Sequence, residues 1–195
     1  MKKIHSFDEV FDSQKLYRLI LSAMSKPTTT VNISEYSAKL FGENPAFLAV
    51  AMTLLDNEVG FYACGNEALA GEIVSLTLAK REHPDTADFI FVADAQYLKG
   101  AVEHAKCGTL SDPHKSATIV VKTDDEKTIP ARLCGPGICG VVEAELPEIA
   151  AQALKLRDAQ FYEYPQGIDF IFIKGNGDLF AIPRLTGVTT AREVL

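Results

Sequence analysis

Tyr164-Pro165-Gln166-Gly167-Ile168-Asp169-Phe170-Ile171-Phe172-Ile173, followed by Leu179-Phe180-Ala181-Ile182-Pro183-Arg184, is the stretch that decides the fold. Tyr164–Gly167 reads as a Pro/Gly turn. It feeds a strand that is apolar on both faces except for one carboxylate, Asp169. A Phe/Ile run with so few polar breaks suits a strand covered on both sides, as in a sheet packed between two layers. Lys174-Gly175-Asn176-Gly177-Asp178 is a turn signal, so Leu179–Ile182 returns as the second arm of a hairpin. Pro183 stops that arm and Arg184 lies just past it.

Working outward, the pattern alternates helix and strand through the first half. Asp12–Ser25 is an amphipathic helix with Leu16, Leu19, Ile20, Ala23 and Met24 on one face. Asp12 or Ser13 caps its start, and Lys26-Pro27 ends it, because the residue before proline leaves the helical region. The β-branched run Thr28–Ile33 favours a strand. Asn44-Pro45 opens a helix through Leu55 that is apolar all round, as a sandwiched helix would be. Strands over Val59–Ala63 and Asp88–Val92 alternate with helices over Glu67–Arg81 and Ala95–Ala105. Ala117–Val121 and Ile129–Cys134 read as paired strands around the charged turn Thr123-Asp124-Asp125-Glu126-Lys127. Pro147 begins a helix to about Gln160, with Glu148 suited to its first turn. The tail Gly187–Leu195 carries Val188-Thr189-Thr190 as an edge-strand candidate. The expectation is one α/β domain over residues 1–195, a three-layer α/β/α sandwich on a mixed sheet.

Bulk properties exclude several functions. The chain has 195 residues, enough to bury roughly 70% of its unfolded surface in one domain. Its formal net charge is -7, which argues against non-specific nucleic-acid binding but not against a local basic site. No stretch approaches the ~20 apolar residues of a membrane span. Met1–Glu9 meets charges before any apolar run develops, unlike a signal peptide, so a cytoplasmic protein is expected. In a reducing compartment, Cys64, Cys107, Cys134 and Cys139 read as ordinary thiols rather than a disulfide framework. A metal site built from Cys107, His104, Cys134 and Cys139 is the sharper alternative, and its spacing is not that of a zinc pair.

The segments Leu16–Pro27, Leu54-Leu55-Asp56-Asn57-Glu58, Gly108–Thr118 and Leu133-Cys134-Gly135-Pro136-Gly137-Ile138, together with the C-terminal hairpin, resemble the PhnH family in order and wording. PhnH proteins are subunits of the bacterial carbon–phosphorus lyase system for phosphonate breakdown. The resemblance spans residues 11–184. It implies the sandwich of the large domain of pyridoxal-phosphate-dependent transferases, without that cofactor. It also implies a homodimer in isolation and a complex with PhnG, PhnI and PhnJ-like subunits. That complex attaches phosphonate to the ribose of ATP, displacing adenine, as a ribose 1-phosphonate 5-triphosphate synthase. A non-catalytic or assembly subunit is then expected, with no catalytic residue and no activity of the chain alone.

The residues themselves offer few sites. Gly135–Gly140 satisfies G-x-G-x-x-G, but Val141-Val142-Glu143 prefers a strand, and a dinucleotide site needs a helix there. A glycine turn joining two strands is the simpler reading. Asp112-Pro113-His114-Lys115-Ser116 is the richest polar cluster: His114, Lys115 and Ser116 supply donors suited to phosphate oxygens, and Asp112 is positioned to orient the imidazole. A free-standing enzyme acting on a phosphorylated ligand through Asp112, His114 and Lys115 is therefore the rival function. A solvated loop in which Asp112 makes an Asx-turn is the plainer alternative. Asp169, a carboxylate in an apolar strand, requires a partner, and Arg184 at the other end of the hairpin is the candidate. No lysine stands where a Schiff base would form, Lys99, Lys106 and Lys115 included. No metal-ligand spacing is present, so neither metal nor cofactor is expected. Phe41, Phe47, Phe61, Tyr62, Phe161, Tyr162 and Tyr164 are candidates for a dimer surface.

Overall fold

The computed structural model describes residues 5–123 and 127–190. A seven-stranded mixed sheet forms its centre, in the order β1 (Val31–Asn32), β9 (Asp178–Ile182), β8 (Asp169–Lys174), β5 (Thr118–Thr123), β4 (Phe89–Val92), β2 (Gly60–Ala63) and β3 (Lys80–Arg81). From β8 to β3 neighbours run parallel, whereas β9 is antiparallel to β8 and to β1. Strand β8 is buried at every position but its last, as its two-faced apolar run predicts. Alternation along the strands sends Ile171 and Ile173 to one face and Phe170 and Phe172 to the other.

Helices cover both faces. On the first lie α1 (Phe11–Ser25), α2 (Ser34–Ser37), α3 (Pro45–Leu54) and α4 (Glu67–Thr77), packed with Phe61, Phe91 and Ile171. Helix α3 buries five consecutive residues, Phe47–Ala51, so it is sandwiched as its composition implies. On the second face lie α5 (Leu98–His104) and α6 (Glu148–Asp158), with a stacked Phe170–Phe172–Phe180 ladder beneath. The chain is thus an α/β protein with a mixed sheet between two helical layers. Among the described residues, no helix is long and apolar enough to cross a membrane.

Three sequence expectations need correction. Ala117–Val121 and Ile129–Cys134 are not partners: β5 sits between β4 and β8, while β6 (Thr128–Cys134) belongs to a separate three-stranded sheet. That small sheet runs β10 (Gly187–Thr190), β6, β7 (Val141–Pro147), all antiparallel, and its Leu133 and Leu146 join the second core. The physical difference is visible in burial, since β5 is mostly buried whereas β6 alternates like a half-solvated antiparallel strand. Of the charged turn Thr123–Lys127 expected between them, residues 124–126 lie outside the described residues, and Thr123 is the last residue of β5. The helix expected to reach Arg81 stops at Thr77: Leu78 takes a left-handed conformation with φ 60°, and Lys80–Arg81 becomes an edge strand. The strand over Thr28–Ile33 shortens to Val31–Asn32.

The first turn of α1 hangs on a buried carboxylate. Asp12 accepts the backbone N–H of Asp8 at 2.9 Å and pairs with the Lys39 ammonium at 2.7 Å. These donors hold its carboxyl below the ordinary value of 3.8. A depressed folded-state pKa contributes stability above the unfolded value and loses it as pH falls through the folded one. The stability gap between wild type and Asp12→Asn is therefore expected to be full at neutral pH and to shrink as pH falls below about 4. Urea unfolding across pH checks this, and a pH-independent gap would contradict it.

Candidate functional site

Asp169 begins β8 and Arg184 lies two residues past β9, so the hairpin register brings them together. The Arg184 backbone N–H donates to Asp169 Oδ1 at 2.7 Å, Nε donates to the same oxygen at 3.2 Å, and Nη2 donates to Oδ2 at 2.5 Å. Both carboxylate oxygens are thus satisfied by one residue, the charge-assisted fork geometry that a buried carboxylate requires. Arg184 Nη1 donates further, to the Pro113 carbonyl. Gly167 lies directly against Arg184, where a Cβ would stand 2.9 Å from the arginine Cβ.

The 108–116 loop is thereby tied to the hairpin. Gln166 Nε2 donates to the Gly108 carbonyl at 3.0 Å, and the Gly167 N–H donates to Cys107 at 3.0 Å. Within the loop, Asp112 N–H donates to Thr109 Oγ1, and Lys115 pairs with the Asp112 carboxylate at 3.2 Å. Asp112 therefore engages Lys115 and not the imidazole. His114 is exposed and makes no hydrogen bond among the described residues. Ser116 is buried, with its hydroxyl unpartnered, on a bridge to Cys107. The structure brings Asp112 and Lys115 together and leaves His114 and Ser116 apart from them. Lys99 and Lys106 are ion-paired as well, to Glu103 at 3.7 Å and Asp88 at 2.5 Å.

A cleft of about 250 Å³ opens beside the Asp169–Arg184 pair. Met24 and Ser25 from the end of α1, Pro136 and Gly137 from the β6–β7 turn, and Pro183–Thr186 complete its walls. The Gly135–Gly140 stretch is a turn joining β6 to β7, with the Ile138 N–H closing onto Gly135, and no helix starts there. Gly137 packs so closely on α1 that a Cβ would collide with the Ser25 carbonyl. Thr186 is buried with its hydroxyl unpartnered.

Sequence reasoning missed Arg157. Only 4% exposed, it donates from Nη2 to the Thr186 carbonyl at 2.9 Å, from Nη1 to the Pro183 carbonyl at 3.3 Å, and from Nε to Asp158 at 2.8 Å. The segment Pro183–Thr186 carries the chain from the large sheet to the small one, so Arg157 and Asp169 grip that crossover from two sides. The signal was available: Ala150, Ala153, Leu154 and Arg157 share one helical stripe at i, i+3, i+4 and i+7, which puts a charge at a core position. Nearby, burial pushes the Tyr162 phenol up to about 12.

Among the described residues, no group of three or more His, Cys, Asp or Glu side chains is placed to hold a metal ion. Cys64 is buried, which pushes its thiol up to about 11, whereas Cys134 at the end of β6 and Cys139 on the β6–β7 turn are exposed. All four cysteines are free thiols.

The family model for the bacterial phosphonate metabolism protein PhnH matches residues 5–189. The chain belongs to the PhnH family. No curated protein matches the sequence. Family membership places the chain in bacterial phosphonate metabolism, and the matched residues include the Asp169–Arg184 pair and the 108–116 loop.

Asp169→Ala is expected to destabilise the fold by about 3 kcal/mol, because it leaves a largely buried guanidinium with no carboxylate. Arg157→Met is expected to cost about 1–3 kcal/mol through the two carbonyls it leaves without a donor. Denaturant unfolding checks both, and a wild-type midpoint in either variant would remove that residue from the structural account.

Proposed function

We propose that this chain is a non-catalytic assembly subunit of a carbon–phosphorus lyase complex. On this reading it works with PhnG, PhnI and PhnJ-like subunits that transfer phosphonate to the ribose of ATP, giving the ribose 1-phosphonate 5-triphosphate. It acts in the cytoplasm, pairs with itself in isolation, and carries no cofactor. The sandwich is that of the large domain of pyridoxal-phosphate-dependent transferases used as a scaffold. The observation that carries the reading is the PhnH match over residues 5–189. The polar geometry supports it, because Asp169, Arg184, Asp112, Lys115 and Lys106 are each engaged by another protein group. A free-standing enzyme needs a nucleophile or base whose partner is the substrate.

Co-expression with PhnG, PhnI and PhnJ-like proteins tests this. The expected result is a stable complex whose ATP-dependent phosphonate transfer requires this chain, and no turnover of nucleotide or phosphorylated substrate by the chain alone. Turnover by the purified chain that His114→Ala abolishes would overturn the proposal in favour of an active loop.

A further inference from the structure

A cavity of about 220 Å³ lies where β2 and β4 end, and it shares no residue with the Asp169–Arg184 cleft. Strand β2 leads into α4 on the first face, whereas β4 leads through the 3-10 turn Ala95–Tyr97 into α5 on the second. Neighbouring parallel strands whose connections part in this way leave a crevice at their carboxyl ends, the usual ligand position in an open α/β sheet.

Two stripes of residues line the cavity. Tyr97, Gly100, Ala101 and His104 follow at i, i+3, i+4 and i+7 along one side of the helical stretch. Tyr62 and Cys64, two residues apart on β2 and its continuation, share one face. Pro84 and Gln96 complete the lining. Gly65 has φ 60°, and a Cβ there would overlap the Tyr97 ring, so the tyrosine is seated on it. Gly100 has no such protein neighbour. It lies inside α5, where glycine is destabilising relative to alanine, and a Cβ would meet no heavy atom within 4 Å. A cavity-lining glycine with open space in front of it leaves room that a ligand can use.

The lining selects the ligand. It contains no lysine, arginine, aspartate or glutamate. Charges close by are turned to other groups. Lys99 pairs with Glu103 at 3.7 Å, and both lie more than about 100° round α5 from the cavity stripe. His83 pairs with Asp85, Glu82 accepts the Thr86 hydroxyl, and Asp94 accepts the Gln96 backbone N–H and side-chain amide. A phosphate or carboxylate would find no cation in the lining. By contrast, the Tyr62 and Tyr97 hydroxyls and the His104 imidazole have no hydrogen-bond partner among the described residues. Two tyrosines supply aromatic surface, and three unpartnered polar groups supply hydrogen bonds for ring nitrogens. An apolar cavity of about 150 Å³ holds benzene, so this one suits a single small planar molecule.

We propose that this cavity binds a small, uncharged nitrogen heterocycle of the size of a free nucleobase, against Tyr62 and Tyr97 and within hydrogen-bonding reach of His104. The site goes beyond the assembly role and does not depend on it.

Titrating the purified full chain with adenine, benzimidazole and nicotinamide, followed by calorimetry and ligand-observed NMR, tests this. At least one of the three is expected to bind saturably at one site per chain. Tyr97→Ala removes aromatic surface and Gly100→Leu fills the cavity. Each is expected to weaken that binding about tenfold or more, with melting not lowered by Gly100→Leu. Tyr164→Ala, on an exposed aromatic outside the lining, is expected to bind as wild type does. Adenosine monophosphate is expected to bind no more tightly than adenine. Wild type that binds none of the three heterocycles, or undiminished binding by either cavity variant, would overturn the site. Monophosphate binding tenfold tighter than adenine would overturn the choice of an uncharged ligand.

Discussion

A carboxylate at the head of the most buried strand cannot stay charged without donors, and the surrounding architecture follows from how Asp169 finds them. Arg184 supplies a backbone N–H and two guanidinium donors. This fixes the point at which the chain leaves β9. The same guanidinium reaches the Pro113 carbonyl, so the long 108–116 loop is held against the sheet instead of hanging in solvent. From the other side, the buried Arg157 grips the carbonyls of Pro183 and Thr186. The four-residue crossover between the two sheets is therefore clamped by two arginines, each donating to groups that burial would otherwise leave unpaired.

This arrangement bears on what the protein does. Groups that look reactive in the sequence are occupied by one another: Asp169 with Arg184, Asp112 with Lys115, Lys106 with Asp88. A scaffold subunit tolerates such engagement, whereas an acid, base or nucleophile must keep an open partner position for substrate. His114 is the exception in the 108–116 loop, exposed and without a hydrogen bond among the described residues.

Much of this was legible in the sequence, for identifiable reasons. The buried hairpin of β8 and β9, the proline-bounded end of α1 and the sandwiched α3 each declare themselves through local chemistry, whereas the expected cap at Asp12 or Ser13 gives way to Asp8, whose Oδ1 accepts the Val10 and Phe11 N–H groups. So does the Gly135–Gly140 turn, because Val141-Val142-Glu143 cannot start a helix. Pairing was harder, because a strand's neighbour is not encoded within it. The placement of Ile129–Cys134 beside Ala117–Val121 rested on nearness in sequence. The burial periods separate the two, since β5 is nearly continuous while β6 alternates. Leu78 hid the end of α4, because a leucine at φ 60° gives none of the warning a glycine would. In the polar cluster, residue types were read correctly as a loop, but the Asp112–Lys115 pair depends on side-chain direction that no spacing specifies. Arg157 is the site residue that periodicity marks, a charge on the buried stripe of α6.

Native-state amide hydrogen exchange tests the central claim most directly, by comparing β8, β9 and the Arg184 amide with β6 and β10 across the crossover. If the two arginines join the sheets into one cooperative unit, protected amides on both sides, Arg184 included, exchange with the same free energy as global unfolding. If the amides of β6 and β10 exchange through an opening well below that of the large sheet while Arg184 is protected no better than a surface loop, the clamp does not hold the molecule together and the account is contradicted.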